Sequence, residues 1–151
     1  MLKLFILRHG EAEPLVCDDA SRELTERGRE QVAAVCRARA AELSEVRTIW
    51  ASPFVRTQQT AAIVARHLGL PVTTETLLLG DTPASAVLQA LATADGFPIL
   101  LVSHQPLVGS LVNGLCGSGN QHPMGTSSLA CLSAEVWANN CAELAWLQHK
   151  L

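Results

Sequence analysis

Arg8-His9-Gly10 stands at the end of the apolar run Leu2 to Leu7. An imidazole held beside a guanidinium can attack a phosphoryl group while the cation binds the phosphoryl oxygens. Gly10 lets the backbone turn sharply and come close to a ligand. Two more apolar segments end in the same kind of chemistry. Val46 to Ala51 runs into Ser52-Pro53-Phe54-Val55-Arg56, and Pro98 to Val102 runs into Ser103-His104-Gln105-Pro106. A purely structural strand end needs none of these residues. If the three strands are parallel, their carboxyl ends share one rim, and Arg8, His9, Arg56 and His104 converge there. Helices opening after the second and third ends would add backbone donors and positive potential. An arginine in a first helical turn is unfavourable unless an anion sits beside it. Neighbouring cations disfavour imidazolium, so His9 is expected to stay neutral and nucleophilic near neutral pH. The arginines supply the charge that Mg²⁺ supplies elsewhere, so no metal and no cofactor are expected.

The elements that must position these residues follow from pattern and punctuation. Residues 2–8 read as a buried parallel strand and 9–24 as a loop with Pro14 and a polar run at Asp18-Asp19-Ala20-Ser21. Thr25 is expected to cap a helix reaching Leu43, with Val32, Cys36, Arg39 and Leu43 on one side. A strand spans 46–51. Ser52-Pro53 reads as a serine cap with proline in the first turn of a helix to Leu68, closed by Gly69. Residues 71–77 read as a short strand. Thr82-Pro83 repeats the cap signature for a helix to Thr93. Residues 98–103 form a near-continuous apolar run, as in a central parallel strand. Pro106 opens a helix to Leu115, and 116–126 form a loop. Leu129 to Ser133 and Ala142 to Leu147 read as an antiparallel edge hairpin around the turn signal Asn139-Asn140. The alternation predicts an α/β three-layer sandwich: a mostly parallel central sheet with an antiparallel edge, and helices on both faces.

Bulk properties narrow the function. The 151 residues fit a single domain spanning 1–151, and 48% hydrophobic with 17% charged residues describes an ordinary globular core. A net charge of −3 leaves no broad footprint for nucleic acid or an anionic membrane, so a phosphate site must be built locally. Cys17, Cys36, Cys116, Cys131 and Cys141 are odd in number and show no Cys-x-x-Cys spacing. Reduced thiols in a cytoplasmic protein are the simplest reading, and no zinc spacing is evident. No apolar stretch approaches the ~18 residues of a membrane span. A monomer is expected. His67, His122 and His149 read as surface or loop residues, and Trp50, Trp137 and Trp146 as packing or edge residues.

The Phe5–Ala12 run, Arg22-Glu23-Leu24-Thr25-Glu26-Arg27-Gly28, Ala51–Thr60, Leu101–Gly109 and Thr126-Ser127-Ser128-Leu129-Ala130 occur in one order across most of the chain. In these stretches it resembles the histidine phosphatase superfamily, with its phosphoglycerate-mutase-like fold, and within it the small bacterial SixA-type phosphohistidine phosphatases. The resemblance implies roles. His9 would take the phosphoryl group, Arg8 and Arg56 would clamp its equatorial oxygens, and His104 would stabilise the developing charge. Arg22 would be a further phosphate ligand. In many relatives a glutamate between the second and third strand ends protonates the leaving oxygen. Here that segment is short, and its acids include Glu75 and Asp81; Glu11 is a candidate by proximity to His9. An alkoxide needs a strong proton donor, whereas imidazole, with a reference pKa of roughly 6.5, leaves more readily. A poorly marked acid and a short insert therefore favour phosphohistidine on another protein, a histidine phosphotransfer domain or phosphocarrier, released through a covalent phospho-His9 intermediate. A phosphatase of small phosphoesters and a non-catalytic phosphate-binding adaptor are the competing readings. Retention of both His9 and His104 counts against the adaptor, since binding alone could use arginines.

Overall fold

The computed structural model describes residues 1–15, 17–117 and 121–151. The sheet contains β1 (Leu2–Arg8), β2 (Thr48–Ala51), β3 (Val72–Thr74), β4 (Ile99–Ser103), β5 (Leu129–Ala134) and β6 (Ala142–Gln148), in the order β3-β2-β4-β1-β5-β6. The first four are mutually parallel; β5 runs antiparallel to β1, and β6 antiparallel to β5. The helices are α1 (Glu26–Ala38), α2 (Ala40–Leu43), α3 (Val55–Leu68), α4 (Ala84–Ala92) and α5 (Leu107–Cys116). This is the α/β sandwich with an antiparallel edge that the alternation predicts.

The central strands are apolar on both faces because each face is covered by helices. Successive residues point to opposite sides. Leu4, Ile6, Ile99, Leu101, Ala130 and Leu132 pack with Val87 and Leu91 of α4 and with Leu107, Val108, Leu111, Val112 and Leu115 of α5. Phe5, Leu7, Leu100, Val102, Leu129 and Cys131 pack with Val32, Val35 and Cys36 of α1, Leu43 of α2, and Ala61, Ile63 and Val64 of α3. Fully burying one such large side chain contributes roughly 1.5–3 kcal/mol. The two cores together clamp β1 and β4 at the centre of the sheet.

Several boundaries differ from the sequence reading. The helix from Thr25 stops at Ala38 and restarts at Ala40, with Arg39 at φ −113°, ψ 25°. Its guanidinium lies 4.0 Å from the centroid of Trp146 and its Nε donates to Gln148 on β6. The stripe position read as core is thus a contact with the sheet edge. The strand expected over 71–77 is only Val72–Thr74, because Thr76–Leu78 coil into a 3-10 turn. The cap of α3 falls on Phe54, without a side-chain hydrogen bond, and that of α4 on Pro83. Thr25 and Gly69 do act as read: Thr25 Oγ1 accepts from Gly28 N at 2.8 Å, and Gly69 closes α3 at φ 67°. The predicted loop 9–24 contains a 3-10 turn at Asp19–Ser21, and its residue 16 lies outside the described residues, as do 118–120 of the loop 116–126.

Candidate active site

In the sheet, β1 and β2 flank β4, so the three polar strand ends are neighbours on one rim. Arg8 pairs with Ser103 in the parallel register, and Ala51 pairs with Val102. His9, directly after β1, is pinned by its backbone: its N–H donates to Ser103 O at 3.1 Å, and its carbonyl accepts from Ser127 N at 3.1 Å. Gly10 N donates to Thr60 Oγ1 at 3.1 Å, tying the same turn to α3. A Cβ on Gly10 would come within 2.9 Å of Val32 Cγ2. Glycine is needed there for the close approach of α1, rather than of a ligand as the sequence suggests.

The His9 side chain is 7% exposed, and its Nδ1 lies 2.7 Å from Gly10 O. A carbonyl only accepts, so Nδ1 carries the proton and Nε2 carries the lone pair. Burial pushes the ring's pKa down to about 3, against the Gly10 hydrogen bond, and His104, Arg56 and Arg8 depress it further. The nucleophilic tautomer is therefore the resting one. His104, 4% exposed, meets His9 edge-on with ring centroids 5.3 Å apart. Its Nε2 is 2.7 Å from Ser52 Oγ, which also accepts from Phe54 N at 3.4 Å. When the Ser52 hydroxyl donates to Nε2, His104 presents Nδ1–H as a donor. Burial, then the charges of Arg56 and Arg8, hold this ring at about 4, while Asp19 opposes them.

Arg8 donates from Nη1 to Met124 O at 3.1 Å. Arg56, on the first turn of α3, is 7% exposed. Its Nη1 donates to Asp19 O at 2.7 Å and its Nη2 to Asp19 Oδ2 at 3.2 Å. Among the described residues, the Nε atoms of Arg8 and Arg56 and Nδ1 of His104 are buried with no hydrogen-bond partner. Unsatisfied buried donors are costly. Donors on Arg8, Arg56 and His104, side chains close enough for their charges to act on one another, suit an oxyanion. Beside them lies a cavity of about 420 Å³ lined by Asp19, Phe54, Arg56, Asp81 and His104, with Leu79, Gly80, Gln105 and Pro106.

The other candidates separate by position. Glu11 accepts from Thr25 Oγ1 at 2.9 Å and from Arg27 Nη2 at 2.7 Å; these two groups, with Arg27's charge, hold its carboxyl below the usual range. Glu75 is not among the cavity-lining residues, whereas the exposed Asp81 is. Arg22 donates from Nε to Glu13 O at 2.7 Å and from Nη1 to Asp19 Oδ1 at 2.9 Å, so it meets the pocket through Asp19. The sequence does not mark Asp19, and its pattern reads Ser52 as a helix cap. A lone carboxylate in a polar loop has no periodicity to single it out. Ser52 carried a signal, since a serine directly after a buried strand shares the rim with His104. Among the described residues, no three His, Cys, Asp or Glu side chains are grouped to hold a metal ion.

The model of the histidine phosphatase superfamily (branch 1) matches residues 4–79. Phosphohistidine phosphatase SixA of Escherichia coli (strain K12) is 36% identical over 132 residues, 84% of this chain and 81% of that protein. The chain belongs to the histidine phosphatase superfamily. A SixA homologue of Haemophilus influenzae is 32% identical over 155 residues, covering 95% of this chain and 93% of its own length. The solved structure of SixA complexed with tungstate superposes with a TM-score of 0.84 at 29% identity, covering 98% of this chain and 97% of that one. Membership together with the likeness to the SixA phosphatases makes the protein a hydrolase, a phosphatase with the phosphoglycerate-mutase-like architecture. Among the described residues no helix is long and apolar enough to cross a membrane.

Proposed function

We propose that this histidine phosphatase hydrolyses phosphohistidine carried by another protein, through a phospho-His9 intermediate. The observation that carries the reading is the His9 ring. Its Nδ1–H is fixed on Gly10 O, and its ring meets that of His104, whose Nδ1 is buried and unpartnered like the Nε atoms of Arg8 and Arg56. In the first step the Nε2 lone pair bonds to phosphorus while the substrate's P–N bond breaks, and that bond pair leaves on the substrate ring. Arg8, Arg56 and His104 hold the equatorial oxygens as charge develops. In the second step a water oxygen bonds to phosphorus, the Nε2–P pair returns to His9, and the water proton passes to solvent. The Gly10 carbonyl keeps a proton on Nδ1 throughout, so the phosphorylated ring departs as neutral imidazole.

The likeness to E. coli SixA over most of both chains supports a phosphohistidine substrate. So does the acid inventory: Glu11 is committed to Arg27, and Asp81 is exposed to solvent. Asp81 on the cavity wall is the one observation favouring the second reading, hydrolysis of small phosphoesters with Asp81 as the leaving-group acid. Arg22 supports the pocket through its bond to Asp19.

The test compares a phosphohistidine-charged phosphotransfer or phosphocarrier protein with a panel of phosphoesters, in the presence of chelator. Phosphate release from phosphohistidine at a rate at least about 100-fold above the best ester is expected, and lost in His9→Ala. Faster release from an ester, with phosphohistidine left intact, would overturn the proposal in favour of the second reading.

A further inference from the structure

Cleaving phosphorus from an imidazole places an unusual demand on proton donation. The nitrogen bonded to phosphorus has no lone pair free for a proton. A ring that departs unprotonated leaves as imidazolate, a very poor leaving group. The proton must sit on the other ring nitrogen, which points away from phosphorus. The group that favours cleavage therefore belongs at the mouth of the pocket, not beside the scissile bond.

Asp19 occupies that mouth. Its side chain is 47% exposed and lines the same cavity as Arg56, His104 and Phe54. It is also held at both carboxylate oxygens. Arg22 Nη1 grips Oδ1 at 2.9 Å, and Arg56 Nη2 grips Oδ2 at 3.2 Å. Each carboxylate oxygen retains a further acceptor site. Arg22 and Arg56 keep the group ionised, below the usual carboxylate range. The other charged or titratable groups near it are His104, Asp81 across the cavity, and Asp18 before it in the chain. A carboxylate at the entrance of an anion site repels the incoming phosphate, so its presence calls for a compensating role.

We propose that the Asp19 carboxylate accepts a hydrogen bond from the distal ring N–H of the incoming phosphohistidine, and so selects an imidazole leaving group over an alcohol. This rests on the phosphohistidine reading above. The ring binds as the distally protonated cation. As His9 Nε2 bonds to phosphorus, the P–N pair collapses onto the departing nitrogen. The product is neutral imidazole, still carrying its distal proton, so Asp19 takes no proton and is unchanged by turnover. Asp19 is to the substrate ring what the Gly10 carbonyl is to His9: an acceptor that keeps the departing ring protonated on its far side.

The experiment is the pH profile of Asp19→Asn with phosphoimidazole and a phosphohistidine protein, beside p-nitrophenyl phosphate, whose phenolate departs without a proton. Inhibition by inorganic phosphate monitors Arg56, which keeps its bond to the Asp19 backbone carbonyl in this variant. The expected result is a loss of about tenfold in kcat/KM for phosphoimidazole and phosphohistidine. The alkaline limb of kcat, which reports the bound ring, should move down by about one pH unit, because the anion that favours ring protonation is gone. Phosphate should bind no more weakly than to the wild type, and the nitrophenyl ester should be largely spared. An unchanged rate and profile on phosphohistidine would overturn the proposal. A loss of phosphate affinity matching the loss of rate would also overturn it, reducing Asp19 to a support for Arg56. If the wild-type protein itself leaves phosphohistidine intact, it is the underlying reading that fails.

Discussion

His9 and His104 have been stripped of protons by their surroundings, and this has a consequence for stability. Their folded pKa values, about 3 and about 4, lie below the ordinary 6.5, chiefly through burial. The unfolded chain therefore takes up protons as pH falls through 6.5, while the folded chain does not. Stability is constant above that point and falls between it and the folded values, by about 1.4 kcal/mol per pH unit for each ring. Thermal melts should show Tm dropping as pH is lowered from about 6.5 to about 4. Inorganic phosphate or tungstate should offset the drop, since a bound anion favours the protonated rings. A Tm that holds steady over this range would mean that the rings are solvated. The meeting of Arg8, His9 and His104 was legible at this scale because each is a polar residue at the end of an apolar run, and Arg56 because it stands in the first turn of the helix after another. Asp19 was not, because what marks it is Arg56 and Arg22, which are brought to it only by folding.

At the scale of elements, the parts that matter for the site are those at which one element presses on another. The helix expected over 26–43 divides at Arg39, where the guanidinium leaves the α1 stripe to stack on Trp146 and bond Gln148 of β6. Arg39→Ala should cost about 1 kcal/mol, seen as a lower denaturation midpoint, while leaving phosphatase turnover intact. No change in midpoint would mean that the stack contributes nothing. The strands and the Thr25 and Gly69 helix ends were readable because their signals are local: alternation, a capping hydroxyl, a glycine able to take positive φ. The break at Arg39 and the retreat of β3 to three residues were not. Both depend on partners distant in sequence, Trp146 in one case and the β2 edge in the other. Ser52 belongs with them. Its hydroxyl had two local uses, capping α3 or facing the rim, and the buried His104 ring drew it to the second.

For the whole molecule, the sheet order does the assembling. Placing β4 between β1 and β2 brings the ends of three parallel strands into adjacent positions, and the two cores that grip those strands hold the pocket residues in fixed register. A chain with a net charge of −3 thereby concentrates Arg8 and Arg56 at one spot on its rim. In the proposed reaction that spot carries the phosphoryl group covalently on His9. The direct measurement is rapid-quench trapping with an isotopically labelled phosphohistidine protein, followed by mass spectrometry of the peptide spanning the Arg8-His9-Gly10 turn. The expected result is transient label on His9, stable to alkali and labile to acid, forming at least as fast as phosphate is released and absent in His9→Ala. Full turnover without label on His9, or label retained by the His9→Ala variant, would contradict it.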